Sequence, residues 1–137
     1  MSMLSSLLYP LMPWSMILLR ITLAAIFYVH GSPKMKNPGS MAGAMGMTSN
    51  MVWMVGVVET VSAASVLLGL LTQLGALAMV VIMLGAIYCK TQKWNVPFTE
   101  HGKMGWEFDL IILAAALLLA TTGPGYMSVD WKLLGIY

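Results

Sequence analysis

Four long apolar stretches constrain this chain more than any other feature of its sequence. They cover approximately residues 14–30, 51–71, 74–89 and 105–122. A helix needs about 20 apolar residues to cross a hydrocarbon core about 30 Å thick, with a lower limit of about 17. The stretches are continuous, whereas the strands of a membrane barrel alternate over about ten residues. The sequence therefore predicts an all-α integral membrane protein, a single domain over residues 1–137 that folds as an antiparallel bundle of four transmembrane helices.

The composition excludes several classes of protein. Hydrophobic residues make up 59% of the 137 residues and charged residues only 9%, too few to form the charged surface of a soluble domain. The net charge of +2 comes from scattered basic residues, which form no patch dense enough for nucleic acid. With Cys89 as the one cysteine, an internal disulfide and a CxxC motif are also excluded. We therefore expect a lipid bilayer, and no nucleic acid, as a partner.

The distribution of lysines predicts how the helices are oriented. If all four helices cross the membrane, the connections over residues 31–50 and 90–104 lie on the same side. They contain Lys34, Lys36, Lys90, Lys93 and Lys103. The positive-inside rule then predicts a multi-pass protein of the cell (plasma) membrane with both connections in the cytoplasm and both termini outside. Because residues 31–50 are rich in Gly and Pro, we expect an irregular or re-entrant loop there.

Of the charged residues within the predicted membrane helices, two lie near the middle of a helix. Arg20 lies in the first helix and Glu59 in the second, at depths that differ by roughly 6 Å at a rise of 1.5 Å per residue. A charge in a membrane helix requires a partner or a water-filled cavity. The simplest prediction is a buried ion pair between Arg20 and Glu59, and the sequence leaves open whether the pair is structural or functional.

A second group of polar residues gathers near the lysine-rich face of the predicted bundle. It consists of His30, Lys34, Glu59, Glu107 and Asp109. Two residues apart on one helix, Glu107 and Asp109 point about 200° from each other, so only one of them can face the core. We expect this to be Asp109, which lies deeper, whereas Glu107 suits the positive end of the helix dipole.

The same group contains residue types that suit a metal site or a quinone site. Although His30, Glu59 and Asp109 are suitable ligand types, no HxxxH or ExxH spacing is present, and we predict no metal site. A quinone head group needs an apolar slot with one or two polar groups, which His30, Trp53 and Glu59 could supply.

The methionines raise a separate question of copper binding. Their densest run is Met41, Met45, Met47 and Met51. Because methionine is a flexible filler of apolar helices, packing or lipid contact is the favoured interpretation, and the sequence does not decide whether this stretch binds metal.

Several motifs in order resemble the DoxX/DoxD-like family of small four-helix membrane proteins. They are Arg20 with His30-Gly31 and Lys34, Glu59 with Leu68-Gly69-Leu70-Leu71-Thr72, and Gly105-Trp106-Glu107-Phe108-Asp109. A final Gly-x-Gly-x-x-Ser-x-Asp pattern runs from Gly123 to Asp130. The resemblance implies a link to quinol oxidation or thiosulfate:quinone oxidoreduction, and a role for Asp130 in capping the external end of the bundle.

These observations favour an accessory or quinone-handling subunit of a respiratory-type membrane oxidoreductase complex. Other membrane subunits would then be partners, and we expect no independent catalysis. A stand-alone small transporter or proton- or ion-conducting bundle is the first alternative, because ionisable residues lie within the membrane. A purely structural assembly subunit is the second. No internal repeat of the kind common in transporters is present.

Overall fold

The structure, a computed structural model, describes residues 3–99 and 101–135. The described residues form helices and contain no strand. Five residues of the predicted domain lie outside the described part, namely Glu100 and the terminal residues 1, 2, 136 and 137. The α-helices are α1 (Met3–Leu8), α2 (Met12–Lys36), α3 (Pro38–Met45), α4 (Ser49–Leu68), α5 (Thr72–Tyr88) and α6 (Glu107–Thr122). A 3-10 turn at Tyr9–Leu11 and π-helical turns at Cys89–Lys93 and Asp130–Leu134 complete the described helical elements.

Three helical segments are long and apolar enough to cross a membrane. They are Met3–Lys36, Ser49–Leu68 and Thr72–Lys93. Their outward side chains, such as Leu18 and Val81, are large, apolar and exposed. Such a surface suits lipid rather than water, so the prediction of an all-helical membrane protein is confirmed. With 16 residues, α6 is about 24 Å long at 1.5 Å per residue, slightly short of the bilayer core.

The first long helix and the segment after it differ from the prediction. Instead of ending near His30, α2 continues through Pro33 to Lys36, and the Asn37 N–H donates to the Pro33 carbonyl at 2.9 Å. Pro38 then begins α3, where its missing N–H is not needed. The predicted irregular loop over residues 31–50 is therefore wrong for most of its length, which is helical. The other three predicted helices differ from the observed ones by at most three residues at either end.

The apolar core lies between α2, α4, α5 and α6. Its buried side chains include Leu23, Phe27, Val66, Met79 and Leu119.

Two glycines bring α2 and α4 into close contact. A Cβ atom on Gly31 would lie 2.9 Å from the Gly56 carbonyl oxygen, and a Cβ atom on Gly56 would lie equally close to the Gly31 carbonyl oxygen. Only residues without a side chain allow this approach, which aligns the C-terminal half of α2 with the N-terminal half of α4.

Candidate functional site

Buried charges lie at both ends of the helix assembly, and at one end Arg20 bonds to backbone. Arg20 is 4% exposed. Its Nε donates to the Val66 carbonyl and its Nη2 to the Leu67 carbonyl, both at 2.9 Å, and its Nη1 donates to the carbonyls of Met127 at 2.9 Å and Pro124 at 3.4 Å. The last carbonyls of a helix lack intrahelical donors, so the end of α4 offers natural acceptors for a guanidinium.

The predicted ion pair between Arg20 and Glu59 is therefore wrong. Arg20 lies level with Val66, seven residues or about 10 Å along α4 from Glu59 at 1.5 Å per residue. The observed α2 is longer than predicted, and this moves Arg20 away from the middle of the helix.

Asp130 secures the same end from the C-terminal segment. Its Oδ1 accepts a hydrogen bond from the Leu71 N–H at 2.7 Å, and its Oδ2 accepts from the Thr72 N–H at 2.9 Å and the Thr72 hydroxyl at 2.8 Å. In turn, the Asp130 N–H donates to the Gly69 carbonyl at 2.7 Å. The carboxylate thus caps the start of α5, which confirms the capping role implied by the family resemblance. We call this region, with Arg20, Gly69, Thr72 and Asp130, the Arg20 end.

The environment of Asp130 favours its charged form. Burial raises the pKa of the Asp130 carboxyl, but the hydrogen bonds from Thr72 and Leu71 and the charge of Arg20 lower it by more. The pKa of Asp130 therefore lies below its ordinary value.

At the other end, Lys34 is the partner of Glu59. The Lys34 Nζ atom lies 2.5 Å from Oε1 and 2.7 Å from Oε2 of Glu59. The Glu59 side chain is 3% exposed and that of Lys34 is 14% exposed. Both side chains lie beside the close contact of Gly31 with Gly56, because the Gly56 Cβ position would lie 2.8 Å from the Lys34 Cβ atom.

A second ion pair joins Lys90 to Asp109. The Lys90 Nζ atom lies 2.6 Å from Asp109 Oδ2, and the Asp109 side chain is 10% exposed. The ammonium approaches at an angle outside hydrogen-bond geometry, so this oxygen has a charge partner but no hydrogen-bond donor among the described residues. Sequence reasoning counted Lys90 only among the loop lysines. The signal it missed is that Lys90 and Asp109 flank one connection, at the end of α5 and the start of α6.

Both pairs line one cavity of about 540 Å³ between α2, α4, α5 and α6. Of the predicted polar cluster, the structure brings His30, Lys34, Glu59 and Asp109 to this cavity, together with Lys90. The rest of its wall is largely apolar. Large side chains on it include Phe27, Met45, Met47, Met83, Tyr88, Trp94, Met104 and Phe108. We call the two ion pairs and this cavity the Lys34 end.

Two predicted site residues lie away from the cavity wall. Glu107 is in the first turn of α6, and its Oε2 atom is buried without a hydrogen-bond partner among the described residues. Trp53 is 48% exposed on α4. The predicted quinone contact of His30, Trp53 and Glu59 is thus brought together only in part, because Trp53 does not line the cavity. Within the described residues, no group of three or more His, Cys, Asp or Glu side chains could hold a metal ion.

Comparison with known proteins places the chain in a family. The DoxX family model matches residues 15–92, which include Arg20, Lys34, Glu59 and Lys90. The chain belongs to the DoxX family. Its relatives include a protein of Bacillus subtilis named "Putative oxidoreductase CatD", which is 30% identical over 117 residues, covering 83% of each chain.

Two other relatives of this DoxX protein have names that assign no activity. One is an uncharacterized membrane protein of Mycobacterium tuberculosis, 29% identical, with 88% of this chain and 82% of the relative covered. The other, from Haemophilus influenzae, is 35% identical, with 88% of this chain and 91% of the relative covered. No solved structure matches the chain with comparable significance.

Proposed function

We propose that this DoxX protein is a quinone-handling subunit of a membrane oxidoreductase complex. The observation that carries the proposal is the cavity of about 540 Å³ at the Lys34 end. Small-molecule sites are commonly cavities of about 300 to 1,000 Å³ with mostly apolar walls and a few polar groups. The oxidoreductase named among the relatives supports the reaction class.

The cavity wall suits the chemistry of a quinone head group. Aromatic side chains, among them Tyr88, Trp94 and Phe108, can pack against a planar ring. The ammonium groups of Lys34 and Lys90 are hydrogen-bond donors, which quinone carbonyl oxygens require. His30 adds an imidazole that can donate or accept.

Electrons are proposed to come from partner chains of the same complex. The sequence contains no dinucleotide-binding fingerprint and no phosphate loop of its own. The chain would bind and position the quinone, and a larger subunit would exchange electrons with it. Under this proposal the chain is an accessory subunit and has no independent catalytic activity.

The proposal includes an antiparallel bundle of four membrane helices, with α6 as the fourth. Contacts of α2 with α4 support it, because Arg20 bonds to Val66 whereas Lys34, farther along α2, bonds to Glu59, earlier in α4. The Lys34 end would face the cytoplasm, with both termini outside the plasma membrane. Labelling of single cysteines placed in the two connections, in intact cells, tests this orientation.

Filling the cavity tests the function directly. Gly85 lines the cavity, and a Cβ atom on it would meet no atom within 4 Å, so we expect Gly85→Leu to place added side-chain volume at the cavity wall. Gly43 is equally unobstructed but lies on α3 away from the cavity wall, and Gly43→Leu is the matched control. Each protein is purified from its own membranes in mild detergent, and co-purifying quinones and chains are identified by mass spectrometry.

The expected result is quinone in the wild type and in Gly43→Leu, with loss from Gly85→Leu. Oxidoreductase subunits should accompany all three proteins in a fixed ratio. Wild-type protein without quinone, or Gly85→Leu with unchanged quinone, would overturn the proposal. Protein that emerges alone and moves protons or solutes across vesicles would support the transporter alternative, whereas normal turnover with reduced complex yield would support the assembly role.

A further inference from the structure

We propose that the cavity at the Lys34 end accepts an uncharged ligand and rejects anions, and that Glu59 and Asp109 impose this selection. The inference rests on the proposed function for the identity of the ligand, a quinone. It adds which charge state of the ligand can bind and which residues decide it.

The charges on the cavity wall cancel in pairs. Lys34 is 2.5 Å from Glu59, and Lys90 is 2.6 Å from Asp109. One pair comes from α2 and α4, and the other from the turn after α5 and from α6. The two lysines and two carboxylates therefore contribute no net charge to the wall. His30 is the remaining basic side chain among the residues that line it.

An anion would gain little from such a wall. With Glu59 in place the charge of Lys34 is already compensated, and an anion that displaced Glu59 would leave that almost fully buried side chain without its partner. A carboxylate left unpaired in a low-dielectric site is strongly unfavourable. The same reasoning applies to Lys90 and Asp109, since the Asp109 side chain is 10% exposed and its Oδ2 atom has no hydrogen-bond donor among the described residues.

An uncharged carbonyl compound meets no such penalty. An ammonium group carries three N–H donors, and the contacts to Glu59 do not occupy all three of those on Lys34. A carbonyl oxygen can accept a remaining N–H while the ion pair stays intact. The wall thus offers hydrogen-bond donors without offering an uncompensated positive charge.

One consequence concerns the sulfur chemistry implied by the family resemblance. Thiosulfate and related oxyanions are not ligands of this cavity under the proposal. If the complex oxidises an anion of this class, a partner chain must bind the anion, and this chain binds only the uncharged electron acceptor.

The test compares two probes of nearly identical shape. One is 2,3-dimethyl-1,4-naphthoquinone, which is uncharged. The other is 2-hydroxy-3-methyl-1,4-naphthoquinone, whose acidic hydroxyl makes it an anion in mildly alkaline buffer. Binding to the full chain in uncharged detergent is followed by calorimetry, with thiosulfate as a competitor. Gly85→Leu, with a Leu side chain at the cavity wall, gives the background signal of each probe in the same detergent.

Charge variants show whether the two carboxylates set the selectivity. Glu59→Gln and Asp109→Asn each leave one lysine uncompensated, and Glu107→Gln makes the same change in charge away from the cavity wall. The double variant Lys34→Gln with Glu59→Gln removes both charges of one pair. Thermal unfolding of every variant verifies that it is folded.

We expect the wild type and Glu107→Gln to bind the uncharged probe about tenfold or more tightly than the anion, with no competition by thiosulfate. Glu59→Gln and Asp109→Asn should each shift this ratio toward the anion by about tenfold, and the double variant should restore it. Equal binding of both probes by the wild type, or no shift in either single variant, would overturn the inference while leaving the proposed function intact. Binding of neither probe above the Gly85→Leu background would instead overturn the proposed function.

Discussion

The two ends of the helix assembly use buried charges in different ways. At the Arg20 end, Arg20 donates to carbonyls of Val66, Leu67 and Met127, and Asp130 accepts from amides of Leu71 and Thr72. At the Lys34 end, charged side chains pair with each other around a cavity. Charges bonded to backbone groups fix the positions of helix termini, whereas paired side chains beside an open volume can also contact a ligand.

The difference predicts that structural stability depends mainly on the Arg20 end. Replacing Arg20 by Met should have the largest effect, because it removes several hydrogen bonds at once and leaves the carbonyls at the end of α4 unsatisfied. We expect a loss of about 3 kcal/mol or more in the free energy of unfolding, measured by denaturant titration in detergent micelles. Arg20→Lys should be intermediate, because an ammonium lacks the planar fork of donors. If Arg20→Met were as stable as the wild type, the prediction that stability depends mainly on the Arg20 end would be wrong.

Asp130→Ala should have the second largest effect. It removes three hydrogen bonds at the start of α5, including those from the Thr72 amide and hydroxyl. Loss of a helix cap typically costs about 0.5 to 2 kcal/mol, and we expect the upper part of that range because Asp130 is 3% exposed. The same denaturant titration measures it, with Lys132→Ala as an exposed control on the same turn. Equal losses in the two variants would show that the cap contributes nothing specific.

Sequence reasoning was most successful where chemistry alone decides the outcome. Continuous apolar runs identified the three segments that are long and apolar enough to cross a membrane. The cost of placing a charge in the membrane singled out Arg20 and Glu59 as residues that need partners. The family resemblance indicated that Asp130 caps one end. These conclusions depend on residue type and order, which the sequence contains.

The choice among partners was beyond the sequence because it depends on helix register. Glu59 could have met Arg20 or Lys34, and an α2 that ended near His30 favoured the wrong one. The helix instead passes through Pro33, and this places Lys34 beside Glu59. Lys90 and Asp109 flank a connection that the sequence predicted, but whether their side chains meet depends on the rotation of α6.

Acid should weaken the Arg20 end through Asp130. The pKa of this carboxyl is depressed in the folded state, so its stabilising contribution is fully present above the ordinary unfolded value of about 3.9 and is lost as pH falls through the lower folded value. The free energy of unfolding of the wild type should therefore fall below about pH 4 by more than that of Asp130→Ala. The effect is bounded by the contribution of Asp130 itself. Denaturant titrations of both proteins at about pH 7 and pH 3 measure it, and parallel pH profiles would contradict the assignment.

Removing the whole Lys34–Glu59 pair should have the smallest effect on stability. Replacing both residues by Gln leaves no unpaired charge, and exchange of a buried ion pair for neutral groups is often close to neutral, so we expect a change of less than about 1 kcal/mol. Glu59→Gln alone should cost more, since it strands the charge of Lys34. A double-mutant cycle on the free energy of unfolding separates the two effects. If the double variant instead lost as much stability as Arg20→Met, the pair at the Lys34 end would be as structural as the contacts of Arg20, and the division between a fixed end and a ligand-binding end would fail.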